Sequence, residues 1–202
     1  RKKAPMPTPA SVVTDKRVAV MVADGLEEVE CLAVVDVLFR AGIGADLLSI
    51  SDSLEVTSSH GIHFRCDALA SQVDLASYAL MFLPGGMPGT LNLGASALVI
   101  DEVRRRSAAG QPLAAICAAP SILAEHGALQ ARRATANPGF MDAIAAGGAL
   151  MSEAAVVRDA NLITSRGMGT ATELGFEIIR LLLGDDAAPV VASVKQGIVY
   201  QR

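Results

Sequence analysis

The sequence predicts an α/β protein in which a parallel, doubly wound sheet is covered by helices on both faces. Three observations carry that prediction. Short, largely apolar runs of strand length recur, Arg17 to Val22, Ala45 to Ile50, Tyr78 to Leu83 and Leu113 to Ile116, as strands buried on both faces require. Stretches with helical periodicity separate them. The composition, 51% hydrophobic but only 3% aromatic and without Trp, suits a core of Ala, Val, Leu and Ile in packed layers better than a β-sandwich. At 202 residues the chain is long enough to bury such a core unaided, and residues 16–202 are expected to form a single domain.

Residues 1–15 are expected to be a disordered tail, because basic Arg1, Lys2 and Lys3 and then Pro5, Pro7 and Pro9 show no apolar periodicity. A basic, hydroxyl-bearing, acid-poor start also fits the remnant of an organelle transit peptide. The expected address is intracellular: cytoplasmic, or chloroplast or mitochondrion if the tail is such a remnant.

In chain order, Arg17 to Val22 is the first buried strand. Asp24 with Glu27 three residues on is a capping-box pattern, starting a helix that runs to Arg40 and stops at Ala41-Gly42. Glu27 and Glu28 read as carboxylates favoured at a helix N-terminus. Glu30 stands further in, immediately before Cys31-Leu-Ala-Val-Val, and its carboxyl is expected to face something specific. Ala45 to Ile50 is the second strand, and His60 to Arg65 alternates like a strand exposed on one face. His60 and His63 would lie on opposite sides of that strand, which argues against a metal pair. Tyr78 to Leu83 runs into Pro84-Gly85-Gly86, where glycines let the backbone approach a ligand, although a plain turn fits equally. Ala95 to Ala109 is a helix stopped by Gly110, and Arg104, Arg105 and Arg106 near its end read as a solvated basic face. Leu113 to Ile116 is a strand, followed by Cys117 and a helix to His126. Thr135 to Phe140 is a loop and Met141 to Ala146 a short helix. Ala154 to Arg158 pairs with Leu162 to Ser165 as a hairpin, Arg166 to Thr170 opens an amphipathic helix to Leu183, and Val190 to Val199 adds a last one.

Ligands of such sheets bind beyond the carboxyl ends of the strands. Asp24 to Glu30, Gly85-Gly86, Cys117 and Arg166 to Thr170 all follow strands and are expected to converge there. A cysteine in a strand-to-helix turn stands beside free backbone N–H groups, so the Cys117 thiol is expected to ionise below its usual pKa and act as a nucleophile, an inert core cysteine being the alternative. Cys31, Cys66 and Cys117 are odd in number and lack any C-x-x-C spacing, which argues against a disulfide framework or a zinc site. A net charge of −4 gives no reason to expect nucleic acid as a partner. The uncharged run from Leu75 to Ile100 is broken by Pro84, Gly85, Gly86, Pro88 and Gly89, so it is not a membrane span.

With Gly25-Leu-Glu-Glu-Val-Glu30, Leu83-Pro-Gly-Gly86, Ala114-Ala-Ile-Cys-Ala-Ala-Pro120 and Thr164-Ser-Arg-Gly-Met-Gly-Thr170 in this order, the chain resembles the DJ-one/ThiJ/PfpI superfamily. Within it the likeness is to the parkinsonism-associated deglycase branch, over Lys16 to about Val199. The resemblance implies a flavodoxin-like sandwich of the class I glutamine amidotransferase type, usually a homodimer, needing no metal or organic cofactor. It implies Cys117 as the reactive nucleophile and Glu30 as its protonated carboxyl partner. The implied activity is that of a glutathione-independent glyoxalase or protein deglycase, acting on methylglyoxal, glyoxal or early glycation adducts of protein side chains. The alternative is a redox-sensing, chaperone-like protein whose signal is oxidation of Cys117. The N–H groups of Gly86 and Ala118 are the oxyanion-site candidates, with Gly85 shaping the loop. Asn137 stands where many relatives carry a histidine and cannot act as a base, which counts against peptidase and glutamine-hydrolysis readings. His60, where close relatives place an arginine near the dimer interface, is a secondary candidate.

Overall fold

The computed structural model describes residues 6–201. In β1 (Arg17–Val22) every residue after Arg17 is fully buried. Val18, Val20 and Val22 enter one core, Ala19 and Met21 the other, which is the period of two of a strand covered on both faces. Burying a Val, Leu or Met side chain contributes roughly 1.5–3 kcal/mol, so a strand of this composition stabilises two helical layers rather than one.

The chain continues through α1 (Glu28–Arg40) to β2 (Gly44–Ser49), which pairs in parallel with β1. A hairpin of β3 (Glu55–Thr57) and β4 (His63–Arg65) and the short β5 (Ala68–Leu69) precede β6 (Leu80–Leu83), which lies on the other side of β1. There follow α2 (Gly89–Gly94), α3 (Ala97–Ala109), β7 (Leu113–Ile116), α4 (Pro120–Glu125), β8 (Arg133–Ala134) and α5 (Met141–Ala146). The last elements are β9 (Leu150–Met151), β10 (Val156–Asp159), β11 (Leu162–Ser165), α6 (Ala171–Leu183) and α7 (Ala187–Gly197). The main sheet has seven strands in the order β10-β11-β7-β6-β1-β2-β5, parallel throughout except for β10, which forms the expected hairpin with β11. Residues of α1, α6 and α7 fill one core and residues of α2 to α5 the other. Among the described residues no helix is long and apolar enough to cross a membrane.

Three local expectations need correction. Asp24 does not cap α1: its Oδ1 accepts from the Thr57 N–H at 2.8 Å, tying the first loop to β3. The cap is Glu27, whose carboxylate accepts from the Val29 N–H at 3.0 Å. The expected helix from Ala95 is α3, started by the Ser96 side chain, which accepts from the Val99 N–H, and the separate short helix α2 precedes it. The arginine run is a solvated face only in part, with Arg104 exposed and Arg105 half-buried. Arg106 is 0% exposed, bound through Nε to Glu102 at 2.6 Å and donating to the carbonyls of Leu75 and Tyr78, both at 2.8 Å. The tail expected to be disordered forms no helix or strand over 6–15, yet it is held: Arg17 donates to the Pro7 carbonyl at 2.7 Å and the Val13 N–H to Gly42 at 3.0 Å. Residues 1–5, which carry its basic part, lie outside the described residues.

Candidate active site

β7 ends at Ile116, and the next residue, Cys117, has φ of 64°. For a residue with a Cβ that left-handed conformation costs roughly 1–3 kcal/mol and persists only where the surroundings fix it. Both backbone groups of Cys117 are fixed: its N–H donates to Ser165 of β11 at 3.0 Å and its carbonyl accepts from the Asn137 N–H at 2.9 Å. The turn lifts the side chain out of the sheet to a half-buried position, while Cys31 and Cys66 are fully enclosed in the core.

Glu30 meets Cys117 from α1. It is 1% exposed, and Gly85 at the end of β6 donates its N–H to Glu30 Oε2 at 3.0 Å. The expected partner of this carboxyl is therefore found, although the reason first given for singling it out was wrong: α1 starts at Glu28, so Glu30 lies in the first turn. Gly85 does more than shape a loop. A Cβ there would stand 2.5 Å from Glu30 Oε2 and 2.7 Å from Cys117 Cβ, so only glycine lets the three elements meet. Gly86, at φ 94°, packs as closely on the N-terminus of α1, where a Cβ would lie 2.2 Å from Glu27 N. The Gly85 carbonyl accepts the Glu27 N–H at 2.9 Å, which locks this loop to that helix.

Burial pushes the Glu30 carboxyl up to about 7, against the opposing hydrogen bonds from Cys117 and the Gly85 N–H. Burial likewise pushes the Cys117 thiol up to about 12, followed by the charge of Glu30 and the hydrogen bond between the two. The N–H groups of Ala118 and Gly86, which the sequence nominated for an oxyanion, are turned on the sulfur and work in the opposite direction without prevailing. The expectation of a thiol lowered by its turn is thus corrected, since burial beside a carboxylate outweighs two backbone donors. The pair gives up one proton near neutrality and shares the other across its hydrogen bond.

Asn137 borders this pair through its backbone, and its side-chain Oδ1 accepts from the Gly139 N–H at 3.1 Å. His60 lies elsewhere. It sits in the loop of the β3–β4 hairpin, exposed, with Nδ1 3.0 Å from Glu28 Oε1. Burial works against the Glu28 charge, but the hydrogen bond from His60 holds that carboxyl below its usual range and raises the imidazole in return. Glu28, read from sequence as a helix-terminal charge, is therefore the buried anchor of a loop. Nothing in the spacing announced it, nor the role of Ser165 in holding the Cys117 backbone. Among the described residues, one group of potential metal ligands exists, Glu27, Glu28 and His60, and the His60–Glu28 ion pair accounts for its compactness.

A strained cysteine above the carboxyl end of a doubly wound sheet, backed by a buried carboxyl that burial raises to about 7, defines a class of cysteine–glutamate α/β proteins. The chain matches the DJ-1/PfpI family over residues 16–181 and belongs to it. It is 36% identical over 177 residues to protein dj-1beta of Drosophila melanogaster, covering 88% of this chain and 95% of that one. It is 30% identical over 160 residues to the glutathione-independent glyoxalase DJR-1.2 of Caenorhabditis elegans, covering 79% and 84% respectively. The chain spans only 46% of DJ-1 homolog A of Arabidopsis thaliana, at 34% identity over 89% of this chain. The crystal structure of Drosophila DJ-1beta superposes with a TM-score of 0.87 at 34% identity, over 94% of this chain and all of that one (100%). The fold is accordingly the flavodoxin-like, class I glutamine amidotransferase-like sandwich.

Proposed function

We propose that the protein is a cofactor-independent glyoxalase, and by the same adduct chemistry a deglycase, converting methylglyoxal to lactate and glyoxal to glycolate. The observation that carries this reading is the Glu30–Cys117 pair, in which the carboxyl is poised near 7 against the thiol. Glu30 takes the thiol proton as the sulfur bonds to the aldehyde carbon and passes it to the carbonyl oxygen, giving a hemithioacetal with Glu30 ionised again. It then moves a proton from that carbon to the neighbouring one while the hydroxyl proton passes to the ketone oxygen, so the aldehyde carbon is oxidised and the ketone carbon reduced within one molecule. Water displaces the sulfur from the resulting thioester, releasing lactate and returning the proton to the pair. The glyoxalase named in Caenorhabditis elegans supports this choice of substrate. An early glycation adduct on a protein side chain enters the same sequence through its carbonyl carbon.

A second reading is favoured by the contrast among the three thiols. Burial raises all three, but Cys31 and Cys66 are enclosed in the core while Cys117 is half-exposed, so an oxidant reaches it selectively. A sulfinate there would accept from Gly86, Ala118 and a protonated Glu30, which suits a sensor of oxidative stress. We also propose a homodimer, consistent with a groove of about 790 Å³ along α1 that is lined by Val29, Leu32, Ile198 and Val199. The test is lactate formed from methylglyoxal without glutathione by the wild type, Cys117→Ala and Glu30→Gln. Many turnovers lost in both variants support the enzyme. A silent wild type whose Cys117 is still rapidly oxidised by peroxide supports the sensor.

A further inference from the structure

The left-handed backbone of Cys117, at φ 64°, is held on both sides by peptide units of other segments. Its N–H donates to the Ser165 carbonyl at 3.0 Å, and its carbonyl accepts from the Asn137 N–H at 2.9 Å. A peptide unit is rigid and planar, its carbonyl and N–H pointing opposite ways, so whatever holds one end sets the direction of the other. The far end of the first unit is the Arg166 N–H, which donates to Thr170 Oγ1 at 3.2 Å. The far end of the second is the Ala136 carbonyl, which accepts from Arg166 Nε at 3.0 Å. Two side chains of one turn thus grip the two peptide units that grip the nucleophile.

The Thr170 hydroxyl is saturated where it stands. It accepts a second N–H, from Gly167 at 3.1 Å. The Ser165 hydroxyl spends its only proton on the Ala155 carbonyl at 2.7 Å, so the 2.6 Å contact between the two hydroxyls carries the proton of Thr170. With its donor and both lone pairs engaged, Thr170 fastens the turn to the end of β11. Arg166 acts over a longer stretch of chain, reaching from that turn to the loop after β8, 30 positions away. A left-handed residue with a Cβ keeps its conformation only while its surroundings impose it. We infer that Thr170 and Arg166 are positioning residues for Cys117, acting through its backbone rather than on the substrate, and that they hold the thiol against Glu30. The inference rests on Cys117 as the reacting group, which both readings above share.

Thr170→Val keeps the shape of the side chain and removes the hydroxyl, Thr170→Ser keeps the hydroxyl, and Arg166→Met removes the guanidinium. With methylglyoxal, kcat is expected to fall about 10-fold in Thr170→Val and in Arg166→Met, with KM within about 2-fold, and to stay within about 2-fold of the wild type in Thr170→Ser. A readout independent of turnover is the pH dependence of Cys117 modification by methyl methanethiosulfonate. Its midpoint, near neutrality while the thiol is paired with Glu30, is expected to move toward the ordinary thiol value of about 8.5 in Thr170→Val and Arg166→Met and to stay in place in Thr170→Ser. Arg106→Met is the control, because Arg106 serves the carbonyls of Tyr78 and Pro112 before the opposite, amino-terminal ends of β6 and β7, and it is expected to keep the wild-type midpoint. A lower melting temperature with an unmoved midpoint in Thr170→Val and Arg166→Met would make the turn merely structural and overturn the inference. An equal loss of kcat in Thr170→Ser and Thr170→Val would overturn it as well. The two side chains are read separately, so a variant that does not fold leaves the other to decide. If the wild type makes no lactate, the glyoxalase reading falls and the midpoints still decide the inference.

Discussion

Glu30 and Glu102 are both buried glutamates on helices packed against the same sheet, and they have opposite chemistry. Glu102, 7% exposed, sits between two guanidinium groups, with Arg106 at 2.6 Å and Arg105 at 2.7 Å. Burial opposes its charge, but those two partners hold its carboxyl below the ordinary range. Glu30, 1% exposed, has no cation, only an N–H and a thiol, and burial drives it up to about 7. Burial alone therefore does not make an acid reactive. A buried carboxylate with a cation is a fixed charge that organises structure, and one without a cation is a proton store available to a neighbouring nucleophile.

The largest test of that contrast is catalytic. Glu30→Gln should lower methylglyoxal turnover by roughly 10²–10⁴-fold, the usual worth of a positioned acid–base group, with the fold retained by circular dichroism. Arg106→Met should do the reverse. It leaves Glu102 with Arg105 alone and three carbonyl acceptors unserved, and should cost roughly 3–5 kcal/mol in urea denaturation, with the rate of Cys117 modification in the folded protein unchanged. A loss of reactivity matching that of Glu30→Gln would erase the distinction between the two regions.

Titration sharpens it further. Glu30 is raised from its unfolded value of 4.5 to about 7, so the stability it lends is fully present below the lower value and is lost as pH rises through the higher. The wild type should lose on the order of 3 kcal/mol relative to Glu30→Gln between about pH 4.5 and about pH 7. Glu102 is lowered, so its contribution is present above the unfolded pKa and lost as pH falls. Denaturation midpoints of the two proteins across this range check the first slope, and a difference independent of pH would remove Glu30 as a proton store. The smallest effect concerns positioning. Glu27→Ala deletes the cap of α1, whose first turn carries Glu30, and should cost about 1 kcal/mol with a modest fall in kcat, measured by thermal melts and lactate formation.

Much of this arrangement is legible along the chain because it is local. The apolar runs that became β1, β6 and β7, the αL stop at Gly110, and the hairpin of β10 and β11 follow from periodicity and turn chemistry within a few residues of each other. The cysteine at the end of an apolar run and the paired glycines after another were visible for the same reason. The errors arose where a side chain serves a distant element. Asp24 caps nothing because Thr57 claims it from 33 residues away, and Arg106 is buried because the carbonyls of Leu75 and Tyr78 need donors.

The sequence by itself determined the fold class, the strand and helix order, and the residue types gathered at the carboxyl ends of the strands, because hydrophobic period and backbone propensity act over short range. Only the tertiary structure decided protonation and role. Whether Glu30 keeps its proton and whether the Cys117 thiol is raised or lowered depend on each other and on the Gly85-Gly86 loop, with Gly85 55 positions from Glu30. The charge and hydrogen-bonding capacity of those groups count only once the strands are side by side and water has been excluded from between them.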